Sequence, residues 1–192
     1  NKGKLRKKSG RVFSNLITEP INQQGKEDFS NLFDDNIYFT NPKPIGLIQY
    51  FLRTIDNDSF IILDFFAGSG TTGHAVMQLN AEDGGNRKFI LCQIDEPIDK
   101  KKPAYQFCID NNLSPAISSI TVERLNRAGE KIAKDIAAKN SKAELFETDK
   151  KQVLDIGFKV FDSVAAPKLT LEKDGQISFP EMNDDTMSRI YN

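Results

Sequence analysis

Residues 64–75 read DFFAGSGTTGHA, and no other stretch of the chain packs so much potential chemistry into one turn. Asp64 is followed by Gly68, Gly70 and Gly73 in G-x-G-x-x-G spacing, with Ser69, Thr71 and Thr72 filling the intervals. Glycines in this pattern, after a strand and before a helix, let a ligand lie against bare backbone at a helix N-terminus. A phosphate-cradling Walker loop needs a Lys-Ser or Lys-Thr pair behind the turn, and none follows here. Asp64 argues against a pyrophosphate as well, because a carboxylate beside the helix N-terminus repels it. The acid suits a cationic ligand, or one presenting an amine to an acceptor.

S-adenosylmethionine answers that description, since it carries both an ammonium and a sulfonium group, and its amino-acid part could lie along the glycines. Phe66, just before Ala67-Gly68, either flanks such a ligand or packs under the helix, and the same choice holds for Phe65. A purely structural reading stays open for the rest: Asp64 as a turn-bracing or capping acid, the glycines as spacers for close strand–helix packing. His74 is the only histidine. With no Cys, Ser or second His at motif spacing it reads as a packed or surface residue of the helix rather than a general base.

The elements that must position this turn are legible around it. FIILDFF, 60–66, reads as a strand buried on both faces, the pattern of a central parallel strand. A helix follows through Ala75, Val76 and Leu79, a turn at NAEDGGN, and a second buried strand at KFILCQI, 88–94. Strand, glycine turn, helix and strand form one βαβ unit. Upstream, Phe29, Leu32 and Phe33 fall at helical spacing, and NIYFTNPKP is extended because a residue before proline avoids the α region. Pro44 can open a helix whose apolar stripe is Leu47, Ile48, Phe51, Leu52 and Ile55. Downstream, Val122, Leu125, Gly129, Ile132 and Ile136 mark the inner face of a helix over 119–139. The Lys, Arg and Glu residues of that helix read as its solvated face. A polar break at 140–150, a strand at FKVFDS, 158–163, and a hairpin around Asp174-Gly175 complete the pass. The fold class is α/β.

Composition bounds the function classes. The chain has 192 residues, 39% hydrophobic and 28% charged, with a net charge of −1. That is a soluble profile, and its near-neutral charge argues against a nucleic-acid binder over the whole surface. KGKLRKKSGR, 2–11, concentrates six positive charges with no negative one, either a solvated lead-in or a phosphate-contacting arm. No apolar run approaches a bilayer span. Cys92 and Cys108 fit no metal-ligand spacing and read as reduced thiols of an intracellular, cytoplasmic protein.

Here the residues bring a family with them. D-x-F-x-G-S-G-T-T, preceded by N-P-K-P-x-x-L, resembles the cofactor half of an amino-methylating DNA methyltransferase. The longer string ILDFFAGSGTTGHAVMQLNAEDGGNRKFILCQIDEP is similar to the modification subunit of type III restriction–modification systems. FTNPKPIGLIQYFLRTI before it, and ERLNRAGEKI and GFKVFD after it, belong to the same pattern. The resemblance covers about 27–163. It implies part of a Rossmann-like S-adenosylmethionine-dependent methyltransferase sheet with flanking helices, followed by the C-terminal β-hairpin. It implies an S-adenosylmethionine loop of Asp64, Gly68, Ser69, Gly70 and Thr71, with Lys43 and Pro44 contributing at the methionine end. Related enzymes bind the ribose hydroxyls from the end of the second strand, which aligns with Gln93; a neutral amide there bonds ribose more weakly than the family's usual glutamate, and Asp95 or Glu96 could serve instead. The activity implied is methyl transfer to adenine N6 in DNA, by a homodimer working with a restriction subunit.

One expected element is missing. The family holds the flipped base through an (Asp/Asn/Ser)-Pro-Pro-(Tyr/Phe) tetrapeptide, and the sequence contains no Pro-Pro pair. With its start at Asn1 and not a methionine, the chain is expected to be the C-terminal portion of a larger subunit, inactive alone. Its divisions are expected as a lead-in, 1–26, irregular and basic; a cofactor-binding part, 27–163; and a hairpin and tail, 164–192. A non-catalytic module of a split methyltransferase, and a nicotinamide-dependent oxidoreductase fragment, are the competing readings.

Overall fold

A computed structural model of the chain describes residues 19–145, 156–162, 170–171 and 177–178. Its elements in order are α1 (Asn22–Ser30), α2 (Ile45–Arg53), β1 (Ile61–Asp64), α3 (Thr71–Asp83), β2 (Lys88–Leu91), α4 (Pro103–Asp110), α5 (Ile117–Leu145), β3 (Thr170–Leu171) and β4 (Ile177–Ser178). The chain divides into two compact units, 1–158 and 159–192. The basic stretch at 2–11 and the C-terminal tail lie outside the described residues.

β1 and β2 pair in parallel with Ile61 opposite Lys88 and Asp64 opposite Leu91, and α3 crosses between them. The predicted βαβ unit is therefore present. The strands are not buried on both faces, however. Ile62 is half-buried against Leu52, Val76 and Leu79, whereas Ile61 and Leu63 are 63% and 49% exposed. Alternation puts residues 61 and 63 on the face opposite the helices, and no described element covers that face.

α3 is the centre of the first unit. Thr71 through Met77, Leu79 and Asn80 are all buried, because α2, β2 and α5 pack around it. A helix enclosed in this way needs apolar or paired residues on every side. Asn80 shows the pairing: its side-chain amide donates to the Arg87 carbonyl (2.8 Å) and accepts the Arg87 N–H (3.1 Å), fixing the approach to β2. On the other side Phe29, Phe33, Phe107, Ile120, Leu125 and Ile132 form the main core with Met77. Phe33 stacks on Phe29 and meets the edge of Phe107. The apolar patch expected at 29–33 is thus a core anchor.

Several boundaries differ from expectation; β1 and β2 stop at Asp64 and Leu91, short of the expected 66 and 94. α1 begins at Asn22, inside the lead-in read as irregular through 26; the Gln24 side chain accepts the Ile21 N–H (2.9 Å) and Phe29 is driven into the core. α5 continues to Leu145, into the polar break expected at 140–150, since Ala and Lys favour helix whatever their polarity. Residues 158–162, most of the strand expected at 158–163, pair with no described strand. In the second unit β3 and β4 pair antiparallel, Thr170 with Ser178 and Leu171 with Ile177. These lie either side of the predicted turn at Asp174-Gly175, itself outside the described residues.

Candidate functional site

The loop between β1 and α3 lies at the carboxyl end of the parallel pair, where open α/β sheets take their ligands. The Asp64 carbonyl accepts the Cys92 N–H (2.8 Å), and Ala67 N–H donates to the Cys92 carbonyl (3.1 Å). The Gly70 N–H then returns to the Ala67 carbonyl (2.8 Å), closing a tight turn. Gly68 (φ 53°) and Gly70 (φ 77°) both occupy the left-handed region, which costs a side chain of the L series about 1–2 kcal/mol per residue. Gly73 has a different reason. A Cβ there would sit 2.7 Å from Leu125 Cδ2, 3.1 Å from Leu91 Cδ1 and 3.3 Å from Phe89 Cε2. The third glycine serves the close packing of α3 on α5 and β2, while the first two shape the turn.

Asp64 is half-buried, and each of its carboxylate oxygens accepts one hydrogen bond. Its Oδ1 accepts the Phe66 N–H (3.0 Å) and its Oδ2 the Thr72 hydroxyl (2.6 Å). The turn-bracing role is therefore real, and it holds the carboxylate in a fixed orientation. Gln93 braces the loop from just past β2: its Oε1 accepts the Gly68 N–H (2.8 Å) and its amide donates to the Ile94 carbonyl (3.1 Å). Asp95 accepts the Ser118 hydroxyl (2.7 Å). Glu96 is exposed, and no described side-chain contact engages its carboxylate. Phe66 is 91% exposed and Phe65 65%, so neither packs under the helix.

Lys43 and Pro44 lie beside the loop. The Thr71 hydroxyl donates to the Lys43 carbonyl (3.2 Å), while the Lys43 side chain is exposed and Pro44 is fully buried. Pro44 is the residue just before α2 and not its first turn. Asp28 of α1 does the capping, accepting the Ile45 N–H (2.8 Å). Gly25 allows α1 to reach this far, since a Cβ there would collide with the Pro42 carbonyl and the Lys43 and Pro44 backbone.

Sequence reasoning placed Leu125 on the inner face of its helix but missed Thr121 and Arg124, which lie beneath the loop with it. Arg124 of α5 is completely buried and donates from one Nη to Ser69 Oγ (2.9 Å), Thr71 Oγ1 (2.8 Å) and, more weakly, the Ser69 carbonyl (3.4 Å). Thr121 donates to the Gly68 carbonyl (2.5 Å), and Leu125 packs on Gly73. These three positions share one helix face at i, i+3 and i+4. Burial depresses the Arg124 pKa to about 10, an effect that nearby Asp28 opposes. His74, one turn into α3, is 6% exposed, and its Nδ1 has no hydrogen-bond partner. Burial first, then the charges of Arg124 and Lys131, lower its pKa to about 3. The imidazole is neutral and enclosed, as a packed helix residue.

Both cysteines are free thiols, Cys92 exposed and Cys108 buried. Among the described residues no helix is long and apolar enough to cross a membrane.

Comparison with known proteins bears on residues that coincide with this geometry. A family model described as DNA methylase, of the N6/N4 methyltransferase type, matches residues 1–101, which include β1, the glycine loop, α3 and β2. The StyLTI Mod subunit of a type III restriction-modification enzyme from Salmonella typhimurium is 43% identical over 143 residues, covering 70% of this chain and 20% of its own. The EcoPI Mod subunit from Escherichia phage P1 is 49% identical over 67 residues, 35% of this chain and 10% of its own. The type II methyltransferase M.KpnI of Klebsiella pneumoniae is 38% identical over 104 residues, 54% and 24% of the two chains. The chain thus spans at most about a quarter of the length of these relatives.

Proposed function

The chain belongs to the N6/N4 DNA methylase family and has type III Mod subunits among its relatives, and from that membership we propose that it is the S-adenosylmethionine-binding portion of a site-specific DNA adenine-N6 methyltransferase. The observation that carries this reading is the Gly68–Gly70 turn. It opens at the carboxyl end of β1 with two left-handed glycines, a fixed acid at Asp64 and an unpacked aromatic at Phe66.

The residues present fit the cofactor. Bound S-adenosylmethionine supplies an electrophilic methyl group on a sulfonium. The Gly68-Ser69-Gly70-Thr71 backbone would lie against its amino-acid part, and Asp64 would accept from its ammonium with lone pairs left over from Phe66 and Thr72. Phe66, with Phe65 beside it, would cover an apolar face of the ligand, and Lys43 would face its carboxylate from the segment before α2. Gln93 acts on this pocket through the Gly68 N–H that it holds. Its committed amide leaves Glu96 as the acid best suited to the ribose hydroxyls.

In this reading the sheet is one part of a Rossmann-like methyltransferase sheet, extended by strands outside these 192 residues. The Pro-Pro tetrapeptide, the DNA recognition region, the homodimer contacts and the restriction subunit are likewise supplied from elsewhere, and this portion alone does not turn over. A cytoplasmic location goes with that role.

Calorimetric titration of the intact subunit with S-adenosylhomocysteine tests the assignment, with NAD run beside it. Saturable binding weakened about 10- to 100-fold by Asp64→Ala is expected, the size of a lost charge-assisted hydrogen bond. Binding of NAD in its place, or no binding of S-adenosylhomocysteine, would overturn it.

A further inference from the structure

Arg124 is an unusual residue to find with no solvent exposure. Its Nε and second Nη have no hydrogen-bond partner, and only one Nη is engaged, by Ser69 and Thr71. Its guanidinium lies 5.5 Å from the centre of the Phe29 ring, which returns part of the lost hydration. A buried cation left this incompletely paired is a poor device for stability, because an apolar side chain of similar length commonly serves the core as well or better. Something other than the core is gaining from its charge and its donors.

The partners identify what gains. Ser69 and Thr71 flank Gly70, the glycine with the more positive φ in the turn, and both of their hydroxyls are drawn to the same nitrogen. Their oxygens are 3.2 Å apart, close enough for one hydroxyl to donate to the other while both accept from Arg124. The arrangement orients two hydroxyls that would rotate freely in a solvated loop. Thr121 fixes the Gly68 carbonyl from the same helix face. From this we infer that Arg124 is a positioning residue for the cofactor loop: it touches no ligand itself, and it sets the geometry in which Gly68–Thr71 meets the methyl donor. The inference rests on the function proposed above.

The test compares the intact subunit with Arg124→Met and Arg124→Lys in three measurements: thermal unfolding without ligand, calorimetric titration with S-adenosylhomocysteine, and the KM for S-adenosylmethionine against kcat. Arg124→Met is expected to unfold within a few degrees of wild type yet bind S-adenosylhomocysteine about ten-fold or more weakly, the scale of lost hydrogen bonds from a charged donor. KM should rise while kcat at saturating cofactor stays within about two-fold. Arg124→Lys, with a single compact ammonium in place of the planar guanidinium, should recover part of the affinity. Wild-type affinity in Arg124→Met would overturn the inference. So would a loss of affinity in both variants that merely follows an equal loss of thermal stability, which would make Arg124 a core residue. Failure of wild type to bind the ligand is a separate result, and it removes the proposed function instead.

Discussion

His74 should make the protein acid-sensitive, by an amount that follows from its burial. The ordinary imidazole pKa of 6.5 falls to about 3 in the folded chain, through desolvation first and then the charges of Arg124 and Lys131. In the unfolded chain the same ring titrates normally. Between these values the unfolded state binds a proton that the folded state refuses, so stability rises with pH across the window from about 3 to 6.5 and falls as pH is lowered through it. At pH 5 the unfolded state is favoured by about 1.5 pH units of proton binding, or about 2 kcal/mol at 1.36 kcal/mol per unit, whereas at pH 7 the term is nearly zero. Against a total stability of about 5–15 kcal/mol for a domain, that is a sizeable fraction. The perturbation is His74→Leu, which removes the titrating ring and deletes an Nδ1 that has no hydrogen bond to lose. Urea unfolding at pH 7 and pH 5 for both proteins isolates the effect, because the carboxylates titrate equally in each. The wild type should lose about 2 kcal/mol more than the variant between the two pH values. Parallel losses would refute the reasoning, and would mean that the imidazole is solvated or paired in the folded chain.

Two further outcomes follow from the same contacts. Gly73→Ala gains about 1 kcal/mol of helix propensity but must push apart Leu125, Leu91 and Phe89 together; overpacking of a core costs about 1–3 kcal/mol, so a net loss is expected by thermal unfolding, and a more stable variant would show that the helix–strand gap has room. The open strand face of Ile61, Leu63 and Ile90, with the exposed Phe65, Phe66 and Ile94 just past the strand ends, each about half exposed or more, should drive self-association of residues 1–192. Light scattering that shows a monodisperse monomer over a wide concentration range would refute it.

What was legible in the sequence was local. The βαβ unit, the three-glycine turn and the stripe of α5 through Leu125, Ile132 and Ile136 are set by spacing, and the structure reproduces them. Arg124 and Asp28 were not legible, because their partners lie far away in the chain and periodicity carries no record of them. A signal did exist: Ile120, Arg124, Ala128, Ile132 and Ile136 form one i, i+4 row, and an arginine within an apolar row is a buried charge awaiting a partner. Reading every basic residue of that helix as solvated hid it. Gln93 was located by its distance beyond the glycines, yet its hydrogen bond to the Gly68 N–H depends on how the two strands register. The open face of β1 escaped notice for a related reason. Isoleucine and leucine on both sides of a strand report that both faces are apolar, not what covers them.

The hold of α5 on the glycine turn has a kinetic consequence. Thr121 and Arg124 reach back across 53 to 55 residues to Gly68, Ser69 and Thr71. Contacts of such sequence separation form only after a long segment has been closed into a ring, an entropic cost met late in folding. Local signals can prepare the turn, but its final shape waits for the distant helix to dock. The amides of the turn should then exchange with solvent at rates that track the release of α5, and they should not fray independently as surface loops do.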